Sequence, residues 1–194
     1  MPDAGRVIGG SAAGRRLAAP GAGTRPLADR VKQTLFAILE PDLEDAAVLD
    51  LYAGSGAAGI EALSRGAGRA TFVERDPGAI ATIRDNLRRC GFDGPAARVV
   101  RSDVRAWLEG TGAAEGPFDV VLVDPPYGEP ESLLASLETL GRLGSGLLSP
   151  GARVVAKHFW RDRPPDRVGL LGIERDRRFG ETALTFYRAV GEGQ

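Results

Sequence analysis

Cysteine, histidine and methionine each occur once in the 194 residues, as Cys90, His158 and Met1. A disulfide within the chain is therefore excluded, and no C-x-x-C pair or His/Cys cluster is available to hold a metal. No apolar run approaches the roughly 20 residues needed to span a bilayer. Arg6, Arg15 and Arg16 stand among glycines and alanines where a secretory signal would need an apolar core. A cytoplasmic chain without membrane attachment is the expectation. Surplus charge is missing too, since 25 Lys/Arg against 26 Asp/Glu leave a formal net charge of -1. The total hides an uneven distribution. Residues 1–32 carry six basic against two acidic side chains, residues 33–152 ten against eighteen, and residues 153–178 eight against four. Two basic ends flank an acidic middle, which is open to two readings: solvated ends, or a nucleic-acid footprint.

What is present suffices for one substantial core and a small appendage, with 43% hydrophobic residues. Arg6-Val7-Ile8-Gly9-Gly10 and Gly14-Arg15-Arg16-Leu17 read as a basic hairpin or arm with little apolar material of its own. Asp29 is placed to cap a helix through Leu39, because Val31, Leu35, Phe36 and Leu39 share one face and Pro41 ends it. Residues 1–40 thus form an arm and helix, and residues 41–194 the main domain. In the latter, apolar strands at 47–51, 69–74, 98–101 and 119–123 alternate with helices near 57–65, 77–90 and 104–109. A fourth helix near 131–143 precedes strands at 152–157, 169–174 and 182–188. This is the α/β pattern of a Rossmann-like, mostly parallel seven-stranded sheet. With no helix after residue 152, the last strands are expected to pair antiparallel.

The first strand of the main domain runs through Asp50 into Tyr52-Ala53-Gly54-Ser55-Gly56 and a helix that includes Gly59. Glycines let backbone approach a ligand closely there, but the G-x-G-x-x-G spelling alone also suits a dinucleotide or a tight packing turn. Asp50 helps to decide. A carboxylate would repel a pyrophosphate, whereas S-adenosylmethionine presents an ammonium and a sulfonium. Glu74, followed by Arg75, ends the second strand, where an acid can accept both ribose hydroxyl hydrogens; Asp103 follows the third and can accept from an adenine amino group.

Val120-Val121-Leu122-Val123-Asp124-Pro125-Pro126-Tyr127 is the most specific signal. Two prolines fix the backbone and remove two N–H donors, so carbonyls and the Asp124 side chain form a cluster of acceptors. An exocyclic base amine supplies two donors. Held by Asp124 and the Pro125 carbonyl, such an amine would aim its lone pair at a methyl group for in-line transfer, with Asp124 able to take the proton and Tyr127 stacking on the base. Cys90 lies on a helix and reads as a packing residue rather than a nucleophile. His158 reads as structural or as an RNA contact.

These residues resemble the RsmD family, bacterial 16S ribosomal RNA guanine-N2 methyltransferases. The similarity includes both arm segments, Arg25-Pro26, the run from Asp29 to Phe36, Asp50 to Gly56, Gly59 to Ala67, and Asp124 to Tyr127. The resemblance implies a class I S-adenosylmethionine-dependent methyltransferase fold, with S-adenosylmethionine as cofactor, S-adenosylhomocysteine as product and no metal. Gly54, Gly56, Glu74 and Asp103 would hold the cofactor, and Asp124, Pro125, Pro126 and Tyr127 the target base. The partner would be 16S rRNA in an assembling or assembled small subunit, met by a monomer through Arg6, Arg15, Arg16, Arg25 and Arg30, with residues 25–30 folding over the site. Ser11-Ala12-Ala13 departs from the more basic arm common in the family and lowers the expected phosphate affinity. Four alternatives remain: an adenine-N6 methyltransferase, a glutamine-side-chain methyltransferase, a noncatalytic RNA-binding assembly factor, and a dinucleotide-dependent oxidoreductase.

Overall fold

The computed structural model describes residues 3–21, 28–126 and 128–190. Strands β1 (Asp3–Arg6) and β2 (Arg16–Ala18) pair as an antiparallel hairpin. Helix α1 (Asp29–Leu39) follows and turns into a short 3-10 segment at Pro41. It is amphipathic as its spacing predicts, burying Val31, Leu35, Phe36 and Leu39. Asp29 does not cap it, however. The N-cap is Ala28, with no side-chain hydrogen bond, and the Asp29 carboxylate instead lies beside Arg6 and Lys32.

From there β3 (Ala47–Leu51), α2 (Ala57–Ser64), β4 (Arg69–Glu74), α3 (Pro77–Cys90), β5 (Ala97–Arg101), α4 (Val104–Glu109), β6 (Phe118–Val123) and α5 (Pro130–Leu140) alternate. The chain ends with β7 (Leu148–Phe159), β8 (Arg167–Val168), β9 (Leu171–Phe179) and β10 (Thr182–Ala189). The sheet order is β5-β4-β3-β6-β7-β10-β9-β8. β3 to β7 run parallel, and β10 inserts antiparallel between β7 and β9, as the missing final helix requires. β3, buried at all five positions, sits mid-sheet between two apolar layers.

Three features differ from expectation. Among the described residues the sheet has eight strands rather than seven, because the two-residue β8 folds back on β9. α5 stops at Leu140, where Gly141 lies so close to Val168 that a side chain would not fit, and Leu143 beyond it is exposed. β9 is nine residues long, and its second half is too charged to show an alternating pattern.

The hairpin has no core of its own, but it buries Ala4, Val7, Ala12 and Leu17 in the same apolar cluster as α1, α2 and α3. The fully buried Glu61 carboxylate accepts the backbone N–H groups of Ile8 (2.7 Å) and Gly9 (2.8 Å), and Asn86 holds Ala18 by both its N–H and its carbonyl. Gly10 is required where the hairpin touches α2. Its φ is +77°, and a β-carbon there would lie 1.7 Å from the Ser64 carbonyl oxygen. Gly10→Ala is expected to cost about 2–4 kcal/mol, from left-handed strain plus overpacking. A urea midpoint unchanged from the parent would refute this packing.

Candidate active site

The carboxyl ends of β3, β4 and β6 open onto a cavity of about 560 Å³, the size of a small-molecule site. Each carboxylate expected there lines it, and each is held differently. Asp50, next to last in β3, is 3% exposed, and its Oδ2 accepts the Gly59 N–H at 2.9 Å. That bond ties the strand to the first turn of α2 across the glycine loop, where Gly54 (φ 55°) and Gly56 (φ 75°) take left-handed conformations. Gly59 allows the close approach, since a β-carbon on it would stand 2.3 Å from Phe72 of β4.

Burial pushes the Asp50 carboxyl up to about 8. The Gly59 N–H opposes this, and the nearby charges of Asp124 and Glu74 add to it. Three acids thus crowd a place where, among the described residues, no cation contributes to holding Asp50 charged.

Glu74 ends β4 and faces the glycine loop. Its Oε2 accepts the Gly54 N–H, and its Oε1 accepts the N–H groups of Arg75 and Asp76. Three of about four lone-pair sites on this carboxylate are therefore filled, so a ligand hydroxyl finds one open acceptor on Oε2 rather than a free pair. Asp103 also lines the cavity, and its Oδ1 caps α4 by accepting from Ala106, so the capping and ligand readings describe one side chain. Tyr52, held at φ 60°, lines the wall, its hydroxyl donating to the Ser132 carbonyl on α5 and sharing a hydrogen bond with the Ser136 hydroxyl. Ala53 and Ser55 complete the loop wall, the former donating to the Val73 carbonyl and the latter accepting from Asn86. Gly56 adjoins them as the N-cap of α2. Arg75, mostly exposed, lines the rim beside Glu129.

Asp124 follows β6 directly, with Pro125 and Pro126 beside it on the cavity wall. Its Oδ1 accepts from Lys157 Nζ at 2.5 Å. Burial raises the Asp124 carboxyl above the ordinary carboxylate range, and the Lys157 ammonium pulls it back down. Lys157 is a residue that the sequence reading missed. A signal was available, because lysine occurs only twice in the chain, at Lys32 and Lys157, among 25 basic residues. The Lys32 side chain is fully buried and that of Lys157 is 11% exposed. A rare residue type confined to the interior is worth suspecting.

Other expectations divide. Tyr127 and Arg25 lie outside the described residues. His158 is buried, with one ring nitrogen bonded to the Phe159 carbonyl and the other to Thr185, and burial lowers its pKa, which fits the structural role. Cys90 is buried at the end of α3. Among the arm's basic residues, Arg6 pairs with Asp29, and Arg15 donates to the Arg89 carbonyl at the carboxyl end of α3. The helices run antiparallel to the strands they follow, so that end lies at the sheet edge opposite the cavity. Arg30 is exposed on the first turn of α1, and Arg16 follows Arg15 into β2. Ser11 and Ala12 are packed on Ser64 through their backbone N–H groups, so the departure in the arm falls in a docked turn. Among the described residues no group of acidic, His or Cys side chains is arranged to hold a metal, and no helix is long and apolar enough to cross a membrane.

A parallel sheet in this strand order, with its final strand inserted antiparallel and an acid-lined cavity at its carboxyl edge, has the fold of the class I S-adenosylmethionine-dependent methyltransferases. The chain matches the family model described as Conserved hypothetical protein 95 over residues 5–188, and it belongs to that family, the RsmD-type one anticipated from its motifs. It is 37% identical over 187 residues to the Bacillus subtilis protein YlbH, which carries a provisional rRNA methyltransferase name, covering 96% of this chain and 100% of that one. Identity is 35% over 192 residues to the Escherichia coli K12 protein named Ribosomal RNA small subunit methyltransferase D, covering 97% of this chain and 92% of that one. The solved structure of Escherichia coli YhhF, provisionally titled a methyltransferase, superposes with a TM-score of 0.83 at 34% identity, over 95% of this chain and 97% of that one.

Proposed function

We propose that this protein transfers a methyl group from S-adenosylmethionine to the exocyclic N2 amino group of a guanine in 16S ribosomal RNA, acting as a cytoplasmic monomer on a small subunit, assembling or assembled. The observation that carries the reading is the Asp124-Pro125-Pro126 acceptor cluster set on the wall of an acid-lined cavity. The ribosomal RNA substrate is supported by the family and by the name of the Escherichia coli relative.

The donor set fits this cofactor. Asp50, Glu74 and Asp103 are acceptors for an ammonium, a hydroxyl and an amino group, and the crowding of Asp50 by two further acids is relieved by a cation and worsened by a diphosphate. Bound there, S-adenosylmethionine supplies a methyl group on a positively charged sulfur, which is already an activated leaving group, so the chemistry calls for positioning rather than a metal or a strong base. Lys157 occupies one oxygen of Asp124. Oδ2 is left to accept one hydrogen of the base amine, and the Pro125 carbonyl accepts the other. With both hydrogens directed away, the nitrogen lone pair is turned toward the methyl group. As the nitrogen becomes cationic, the Asp124 carboxylate receives its proton. In this reading residues 1–40 form an appendage to the methyltransferase domain of residues 41–194.

Labelled methyl transfer to small subunits that lack the modification, followed by nucleoside analysis, is expected to yield N2-methylguanosine. Label on adenine, on protein or nowhere would overturn the substrate. Tyr127→Ala is expected to lower turnover on RNA about tenfold, through lost stacking, with S-adenosylhomocysteine affinity within about threefold of the parent. Equal losses in both would remove Tyr127 from the base-holding role.

A further inference from the structure

Apart from Lys157, the second basic segment of the chain, residues 153–178, is not used by the chemistry above. Its topology brings it to the active-site edge. Thr182, at the start of β10, pairs with Phe159 at the end of β7 and also with Phe179 at the end of β9. The β9–β10 turn therefore stands beside the carboxyl end of β7. β7 is parallel to β6, whose carboxyl end leads into Asp124. A second, smaller hollow joins Asp124, Pro125 and Pro126 to His158 and Phe159.

The surface at that turn has a distinct chemistry. Arg161, Arg175, Arg177 and Arg178 are all exposed, and among the described residues none has a carboxylate partner. Other arginines nearby are neutralised. Arg163 binds Asp166 and Asp176, and Arg153 and Arg188 share Glu174 and Asp42. Among the described residues Arg177 and Arg178 donate only to the backbone carbonyls of Asp176 and Gly180, so no acid offsets their charge. Trp160 lies against two of the four, its ring centroid 3.7 Å from the Arg178 guanidinium carbon, 4.8 Å from that of Arg161 and 6.2 Å from the Phe159 ring. Guanidinium groups held over an aromatic ring are already ordered and offer flat faces to bases as well as donors to phosphates. The outer half of β9 buries little, so core packing does not account for its length.

We infer that the Trp160–Arg161 corner and the β9–β10 hairpin form the docking surface for the unpaired RNA strand flanking the target base, with Arg161, Arg177 and Arg178 on its phosphates and Trp160 beneath a neighbouring base. The arm does not take this place, because its turn is docked at the opposite edge of the sheet. The inference rests on RNA being the substrate, and direct binding separates the two claims.

Anisotropy titration of a fluorescein-labelled single-stranded RNA containing guanine, with the full chain and S-adenosylhomocysteine over a salt series, is the test. Arg177→Gln/Arg178→Gln is expected to weaken binding about tenfold and to flatten the plot of log affinity against log salt by about 1.4, two single-strand phosphate contacts. Trp160→Ala is expected to weaken it about tenfold with the slope unchanged. Arg15→Gln, in the docked arm, stays within about twofold. S-adenosylhomocysteine affinity, measured in parallel, is the same in all four proteins and reports the fold. An unchanged salt slope in the double variant, a greater loss in the arm variant, or equal competition by polyglutamate of matched charge would each overturn the inference. RNA binding lost with the hairpin arginines, in a protein that methylates no RNA, would sustain the docking surface and sink the proposed reaction.

Discussion

Asp124→Ala is expected to slow methyl transfer by about 10³-fold, the scale of losing a preorganised acceptor and with it the aim of the nucleophile, while S-adenosylhomocysteine affinity changes by less than about tenfold. The same substitution should also destabilise the protein. Lys157 would keep its position at 11% side-chain exposure and lose the carboxylate 2.5 Å away. Losing that carboxylate from a mostly buried ammonium costs about 2–3 kcal/mol, somewhat under the range for fully buried pairs because Asp124 is partly open to solvent. Adding Lys157→Met removes the charge that the Asp124 carboxylate offsets. The double variant should therefore recover most of the stability and none of the rate. Urea midpoints and single-turnover transfer read the two effects independently. A double variant no more stable than Asp124→Ala would show that the pair is not coupled, and a rapid single variant would remove Asp124 from the chemistry.

Asp50→Asn should produce the opposite combination, a more stable protein that has lost its cofactor. In the folded chain the Asp50 carboxyl titrates near 8, against an ordinary value of 3.8. The folded state therefore holds a proton that the unfolded state has released, and stability from this group falls as pH rises from about 4 to about 8. Below that window aspartic acid and asparagine are equally neutral, and the two proteins should melt together. Above it the wild-type side chain is a buried anion beside two other acids, and the variant should melt higher by about 4–8 °C, on the order of 2 kcal/mol for a chain this size. Cofactor affinity should drop at least about 100-fold, since the amide cannot answer a cation. Calorimetry at pH 7 in buffers of different ionisation enthalpy supplies a further signature, with about one proton released per S-adenosylmethionine bound by the wild-type protein. Release of none, or a melting difference that shrinks as pH rises, would contradict the protonated acid at this position.

Asp50, Glu74, Asp103 and Asp124 were legible in the sequence because each stands at the end of an apolar strand, and parallel strands deliver their ends to one edge. The chain order of strands and helices was legible for the same reason. Lys157 was not, since its partner is 33 residues away and nothing local distinguishes a lysine at a strand end. The outer half of β9 was hidden by composition, as Glu174-Arg175-Asp176-Arg177-Arg178 has no apolar face to give a period of two. The docking of the hairpin was hidden for a third reason. Its polar contacts are mostly made by backbone groups, and its apolar ones by two alanines, Val7 and Leu17, too few to form a period that signals what they touch. Glu61 alone hinted at it, as an acid on a helix whose residues are otherwise almost all apolar or small.

That docking also has a consequence for the order in which the chain can fold. The hairpin is synthesised before α2 and α3, yet Glu61 and Ser64 each lie 52 residues beyond the Gly9 and Ala12 N–H groups they bind, and Asn86 lies 68 beyond Ala18. The opening segment must wait until α2 and α3 have been made before it can close over them. Its Gly-Gly and Ala-Ala steps bury too little to collapse early on their own, so the nascent hairpin segment stays available while the rest of the sheet assembles.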